Sequence, residues 1–372
     1  MSNFSNMAIS REWATRPADQ RFTSLTALQA ATQFTRDHSV ERVISSKSLT
    51  ADVEDGQLVV KGPSGQGARP SHWAFGQLAG LAGAPAGYLR DLPDALAADC
   101  LNYGLQVNRD VQDVKVLLYK NGGPAEIHAA NGPNYGRIWN SNIAQAAVEA
   151  FGDGLTGRFK IPGEFGKRVP ITEANTTLYA SDRDMVICLA DESRITEVPN
   201  RRDGKTGALS TGIALGNSDV GAGRYWMAYF AFDYMCCNRI IWGMRDVEEL
   251  SFKHTSSAPH RFFREVVPAM REMARSTATL SESLIVAAQN ERIDNLEKFL
   301  TSRKFTRSQV SGIKAAYKSD EGVSLPTDSE GVTSASIWDA VVAATAYARS
   351  LQYQDERVTI EREAGRILQL AA

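Results

Sequence analysis

Ser218 stands in Gly216-Asn217-Ser218-Asp219-Val220, one residue short of the G-x-S-x-G turn that exposes a nucleophilic serine. That turn needs small residues on both sides of a serine held between a strand and a helix. Here Val220 replaces the second glycine, and the following Arg224-Tyr225-Trp226-Met227-Ala228-Tyr229-Phe230 reads as another strand. A serine nucleophile also needs a histidine base. The five histidines, His38, His72, His128, His254 and His260, are too scattered to nominate one. The expectation is a tight turn in which glycine supplies positive φ and Asn217, Ser218 and Asp219 bond the backbone.

Three other patterns carry chemistry elsewhere but lack its context here. Gly152-Asp153-Gly154-Leu155-Thr156-Gly157 matches the dinucleotide fingerprint, yet a predicted helix precedes it where a strand is required, so the glycines read as a helix C-cap. Gly204-Lys205-Thr206 resembles the end of a phosphate loop, but Pro199 occupies the place of its first glycine and removes an N–H. His254 and His260 lack a neighbouring carboxylate or thiol at ligand spacing, and adjacent Cys236 and Cys237 point to opposite faces of a strand. Carboxylate pairs such as Asp182 with Asp184, or Asp191 with Glu192, fall on predicted turns or strand ends and read as solvated surface. The reading is a chain without catalytic residues, metal or cofactor.

The elements around these patterns suggest an α+β fold with a central, mostly antiparallel sheet and a helical C-terminal region. A polar arm, residues 1–22, precedes an α+β core, 23–255, and the helical region, 256–372. Ser24 caps a helix ending near Asp37-His38. Strands at Leu49 to Val53 and Leu58 to Lys61 join across Asp55-Gly56, a hairpin signal. Helices are predicted at Trp73 to Gly80, Pro93 to Gly104 and Ser141 to Phe151, with a breaker-rich Gly83-Ala84-Pro85-Ala86-Gly87 between the first two. Val114 to Tyr119 and Ala125 to His128 pair across Asn121-Gly122-Gly123. Leu178 and Met185 to Leu189 flank a Ser181-Asp182-Arg183 turn. After Pro259 apolar residues recur at helical spacing.

With 43% hydrophobic and 23% charged residues, the composition is that of a globular protein, and the formal charge of -2 excludes a wholesale polyanion binder. The four cysteines form no C-x-x-C spacing or disulfide framework, which reads as a reducing compartment. No run approaches about 18 apolar residues and no basic, apolar leader opens the chain, so the expectation is cytoplasmic, with no membrane partner. Nucleic-acid contact would need local patches. Arg158, Lys160, Lys167 and Arg168 interleave with Phe159 and Phe165, and Arg201, Arg202 and Lys205 form a second cluster. A third, Arg303, Lys304, Arg307, Lys314 and Lys318, has no acidic residue within it. Cations along the phosphates and rings under the bases are what single strands require. The other reading of these clusters is solvated faces.

Gly216-Asn217-Ser218-Asp219-Val220-Gly221, Cys237-Asn238-Arg239-Ile240, Ile337-Trp338-Asp339-Ala340-Val341-Val342-Ala343-Ala344-Thr345-Ala346-Tyr347-Ala348 and Glu361-Arg362-Glu363-Ala364-Gly365-Arg366 together resemble the phage/plasmid-like domain-of-unknown-function family. Trp13-Ala14-Thr15-Arg16-Pro17 through Phe22 and Ala84-Pro85-Ala86-Gly87-Tyr88-Leu89 extend the resemblance over nearly the whole chain. Asp219 stands where glutamate is common and Ala343 where asparagine is common. The family motif residues here are Asn217, Ser218, Asp219, Gly221 and Asn238. The resemblance implies a gene of mobile elements, among replication and recombination functions, and gives no catalytic residue. The predicted meander followed by a helix after Pro259 is similar to the core of single-strand-annealing recombination proteins. That similarity implies single-stranded DNA as partner, a homo-oligomer and no cofactor. A non-enzymatic assembly or host-interaction protein is the competing expectation, and a hydrolase built on Asn217, Ser218, Asp219 and Asn238 a third.

Overall fold

The periodicity after Ser24 folds as its spacing demands. β1 (Arg21–Phe22) leads into α1 (Leu25–Asp37), whose Leu25, Leu28 and Thr32 share one buried face. The Ser24 hydroxyl accepts from the Ala27 N–H at 3.1 Å, satisfying one of the donors a helix start leaves open. The computed structural model describes residues 18–108, 113–162, 170–198, 207–233, 239–241, 250–275, 282–351 and 354–371.

The six strands between residues 39 and 131 form one sheet. These are β2 (Ser39–Ser45), β3 (Thr50–Glu54), β4 (Gln57–Lys61), β5 (Gly67–Pro70), β6 (Asp113–Tyr119) and β7 (Glu126–Asn131). Their order is β2-β6-β7-β5-β4-β3, antiparallel except for β5 beside β7. The β3–β4 hairpin turns on Asp55 and Gly56, both at positive φ (50° and 73°), as a two-residue hairpin requires. α2 (His72–Leu81), α3 (Ala86–Arg90) and α4 (Asp94–Val107) cover one face through Leu78, Leu89, Leu101 and Leu105 against Val60, Val116 and Ile127. α3 lies in the segment that reads as a breaker. Pro85 supplies its N-cap and Leu89 anchors it, so tertiary burial overrides the local glycines.

The second sheet is antiparallel throughout. α5 (Asn140–Phe151) comes first in the chain, then β8 (Phe159–Lys160), β9 (Leu178–Ala180), β10 (Met185–Val198), β11 (Gly207–Asn217), β12 (Tyr225–Asp233), β13 (Arg239–Ile241) and β14 (Leu250–Phe252). Its order is β1-β9-β10-β11-β12-β13, with β8 on β10 and β14 on β12. The expected strand, polar turn, strand succession is thus β11 to β13. Met185, Ile187 and Leu189 alternate with Val186, Cys188 and Ala190, so β10 buries both faces. One face meets α5, α1 and a continuous helical run of α6 (Ala258–Arg261), a π turn (Phe262–Val266) and α7 (Val267–Arg275). Phe262, Val266, Met270 and Met273 lie on one stripe of that run and pack in one core with Ile187, Leu189, Ile213 and Leu215. Each such side chain contributes about 1.5–3 kcal/mol on burial. The strands expected in one central sheet therefore divide into two, because α2 to α4 close over the first sheet while α5 to α7 close over the second.

The C-terminal region is helical except for a short ribbon. α8 (Glu282–Asn290), β15 (Arg292–Ile293), α9 (Leu296–Ser302), α10 (Arg307–Glu321), β16 (Ala335–Ser336), α11 (Ile337–Ser350) and α12 (Gln354–Leu368) share a core with Val198 and Leu209. α11 is buried on almost every side. Asp339 begins it: its Oδ2 accepts from the Ser336 N–H and hydroxyl, both at 2.8 Å, and its Oδ1 accepts from the Tyr317 hydroxyl at 2.8 Å. The Ile337-Trp338-Asp339 motif is therefore a cap and a helix-to-helix tie. No described helix is long and apolar enough to cross a membrane.

Candidate functional site

The Asn217–Gly221 turn lies where the two sheets meet, and its backbone is gripped by the first sheet. The Val220 carbonyl accepts three bonds: from Trp73 Nε1 at 3.2 Å, Gln77 Nε2 at 3.0 Å and Asn131 Nδ2 at 3.0 Å. Tyr135 donates its hydroxyl to the Ser218 carbonyl at 3.0 Å. Arg137 donates to the Asp219 carbonyl, to Asn131 Oδ1 at 3.1 Å and to Glu41 Oε2 from both Nε (3.0 Å) and Nη2 (2.7 Å). Its guanidinium also lies over the rings of Tyr135 and Trp139. Gly221 has φ +90°, and a Cβ there would come within 2.8 Å of Asn131 Nδ2, so only glycine fits.

Two of the motif side chains serve this framework. The Ser218 hydroxyl donates to the Arg183 carbonyl and accepts from the Ala222 N–H at 2.8 Å, with the residue 1% exposed. Asn217 Nδ2 donates to the Ile138 carbonyl at 2.9 Å and to Asn140 Oδ1 at 2.8 Å. Ser218 is closed to a substrate, as the turn reading of the sequence expects. Asn238 lies outside the described residues.

Asp219 differs, because it also lines a cleft. Burial pushes that carboxyl above its ordinary value, against the opposing pull of Arg137, the Asn140 N–H and His128. The Asn140 N–H is the first of α5, whose N-cap Trp139 makes no side-chain bond, and it favours the charged form of Asp219. The cleft, about 350 Å³, runs between α1, the edge of the first sheet and the β9–β10 turn. Asp19, Glu126, Asp182 and Asp219 line it together with His128, Tyr119 and Trp139, and none of its described lining residues is lysine or arginine. His128 stacks on Tyr119 with 4.7 Å between ring centroids and lies 3.2 Å from Glu126 Oε2. Among the described residues, no group of three or more His, Cys, Asp or Glu is placed to hold a metal ion.

A second histidine, His254, packs against Tyr135. Its ring stacks on Tyr135 at 5.1 Å, and its Nδ1–H donates to the Gly136 carbonyl at 3.2 Å. Nε2 is buried without a hydrogen-bond partner. Burial holds this imidazole down to about 4, so it is neutral at physiological pH.

The basic residues expected to meet phosphates are differently placed. Arg158 is tied to Asp191, through Nε at 2.7 Å and Nη2 at 2.5 Å, and to the Ala274 carbonyl at 2.8 Å. Burial pushes the Asp191 carboxyl up, but bonds from Arg158 and Ser193 outweigh it and hold the group below its ordinary value. Lys160 is half-buried on β8, opposite Ala190. Lys167, Arg168, Arg201, Arg202 and Lys205 lie outside the described residues.

Sequence reasoning missed Arg137, Glu41, Asn131, Gln77 and Trp73. The one local signal is the run Asn131-Gly132-Pro133-Asn134-Tyr135-Gly136-Arg137-Ile138-Trp139, polar and aromatic between a strand and a helix, where a lone arginine among rings marks a buried cation. Comparison with protein-family models, curated proteins and solved structures finds no match.

Proposed function

We propose that this chain is a DNA-binding protein of phage or plasmid type that holds single strands in the manner of annealing proteins. The observation that carries the reading is the β10–β11–β12 meander backed by the α6–α7 run, the arrangement to which the sequence is similar. In sequence, Arg201, Arg202 and Lys205 fall between β10 and β11, and Lys167 and Arg168 follow β8. Arg158 is engaged with Asp191 and Lys160 is half-buried, so phosphate contact rests on Lys167, Arg168, Arg201, Arg202 and Lys205. Cationic contacts of this kind release counterions and make affinity fall with salt. Binding of a fluorescent single-stranded oligonucleotide across a salt series tests the reading, and a flat response removes it.

The cleft at Asp219 favours a second reading, a site for a small organic cation. Asp19, Glu126, Asp182 and Asp219 line the cleft with Tyr119 and Trp139, and its described lining includes no lysine or arginine, a composition that matches an amine in charge. Thermal shift of the protein with a panel of amines, compared with the Asp219→Asn variant, tests it. No amine-dependent shift in the parent protein ends this reading.

A further inference from the structure

We infer that α9, the turn after it and α10 form a helix-turn-helix surface for duplex DNA. The inference is independent of the single-strand reading, because it concerns another nucleic-acid form and another part of the chain.

The geometry begins with the turn. Four residues, Arg303-Lys304-Phe305-Thr306, separate Leu296–Ser302 from Arg307–Glu321, the connection length of this motif. Lys304 sits at φ 67°, the left-handed angle that reverses the chain. The Phe305 N–H donates back to the Leu300 carbonyl at 3.2 Å, and the Phe305 ring is buried in the core. Thr306 then caps α10 in a capping box with Gln309. Leu296 and Leu300 on α9, and Val310, Ile313 and Tyr317 on α10, are buried at helical spacing. α8 precedes the pair and joins the same core through Ile285 and Ala288.

That packing leaves the other side of α10 in solvent. Arg307, Ser308, Ser311, Ala315 and Lys318 are exposed along it, starting at its N-terminus, the part of a recognition helix that enters the major groove. Arginine and serine are base-edge readers, and arginine is bidentate to guanine. Lys298 and Lys304 flank the helix, exposed and placed for phosphates. Between Leu296 and Lys318 the one acidic residue is Glu297, and Lys314 neutralises it at 2.7 Å. A groove of about 360 Å³ between the helices is lined by Thr301, Arg307, Val310, Ser311, Lys314 and the Glu297 that Lys314 neutralises. Charge and shape together fit a polyanion that accepts a helix in a groove.

The test uses the full chain, a random-sequence duplex pool and a matched single-stranded pool. The expected result is enrichment of a short motif from the duplex pool. Lys304→Gly combined with Lys298→Ala and Lys318→Ala should weaken duplex binding at least tenfold and reduce the salt slope by about 2.7, at 0.9 per phosphate contact. Glycine keeps the turn angle, and the other two positions are exposed, so the thermal midpoint should hold. Arg307→Ala with Ser311→Ala should alter the enriched motif. Duplex binding unchanged in the triple variant, absence of enrichment, or an effect confined to the single-stranded pool would each overturn the inference. Loss of single-strand binding by Lys167→Ala with Arg168→Ala, with duplex binding intact, would separate the two proposals.

Discussion

The Ser218 hydroxyl donates to the Arg183 carbonyl at 2.5 Å, tying the β11–β12 turn to the β9–β10 turn beside it. Because the same oxygen accepts the Ala222 N–H, it is committed in both directions. Ser218→Ala should therefore lower stability by about 1–3 kcal/mol, the cost of leaving buried backbone groups unpaired. Chemical denaturation measures this. A neutral substitution would show that the turn does not depend on this hydroxyl.

Gly221→Ala should cost at least as much. The substitution meets both a positive φ and Asn131 Nδ2, and it disturbs the carbonyl on which Trp73, Gln77 and Asn131 converge. The expected loss is about 1–3 kcal/mol. Gly123→Ala, with no atom within 4 Å of the new Cβ, is the control and should be near neutral.

Arg137 and Glu41 are not equivalent partners. Replacing Arg137 by methionine strands Glu41 and removes the donors to Asn131 and the Asp219 carbonyl, so a loss of about 2–4 kcal/mol is expected. Glu41→Gln leaves Arg137 its other acceptors and should cost less than half of that. Equal losses in urea melts would contradict the placement of Arg137 as the hub.

His254 predicts the acid side of the stability profile. Its folded value is near 4 against 6.5 in the unfolded chain, so the unfolded state binds more protons between those values. Stability contributed by the neutral ring is complete above about pH 6.5 and falls as pH drops toward 4, on the order of 3 kcal/mol in all. Asp219 acts in the opposite sense, because its folded value is raised and it takes up a proton before the unfolded carboxylate does. Comparing denaturation at pH 7 and pH 4 for the parent and His254→Phe isolates the histidine, and the variant should lose less.

Local rules carried much of the fold. Ser24, Asp55-Gly56, Asn121-Gly122-Gly123 and the Gly216–Gly223 turn each mark an element boundary through chemistry confined to a few residues. The division into two sheets was not legible, because the β2–β6 pairing joins residues about 75 apart and no local pattern states it. The same limit applies to the site. Asp219 reads as a turn residue from its neighbours, whereas its environment comes from Asn140, His128 and Arg137, more than 70 positions away. Arg158 shows the converse: an exposed cation in the sequence pattern, it proves to be engaged with Asp191. Charge clusters state composition, and only packing decides which members remain free.

Salt-dependent binding of single-stranded DNA by the parent protein and by Lys167→Ala with Arg168→Ala tests the functional proposal most directly. The account predicts tight binding at low salt, a steep fall toward physiological salt, and a slope smaller by about 1.4 in the double variant, at 0.7 per lost contact. Weak, salt-independent binding, or identical slopes for the two proteins, would contradict it.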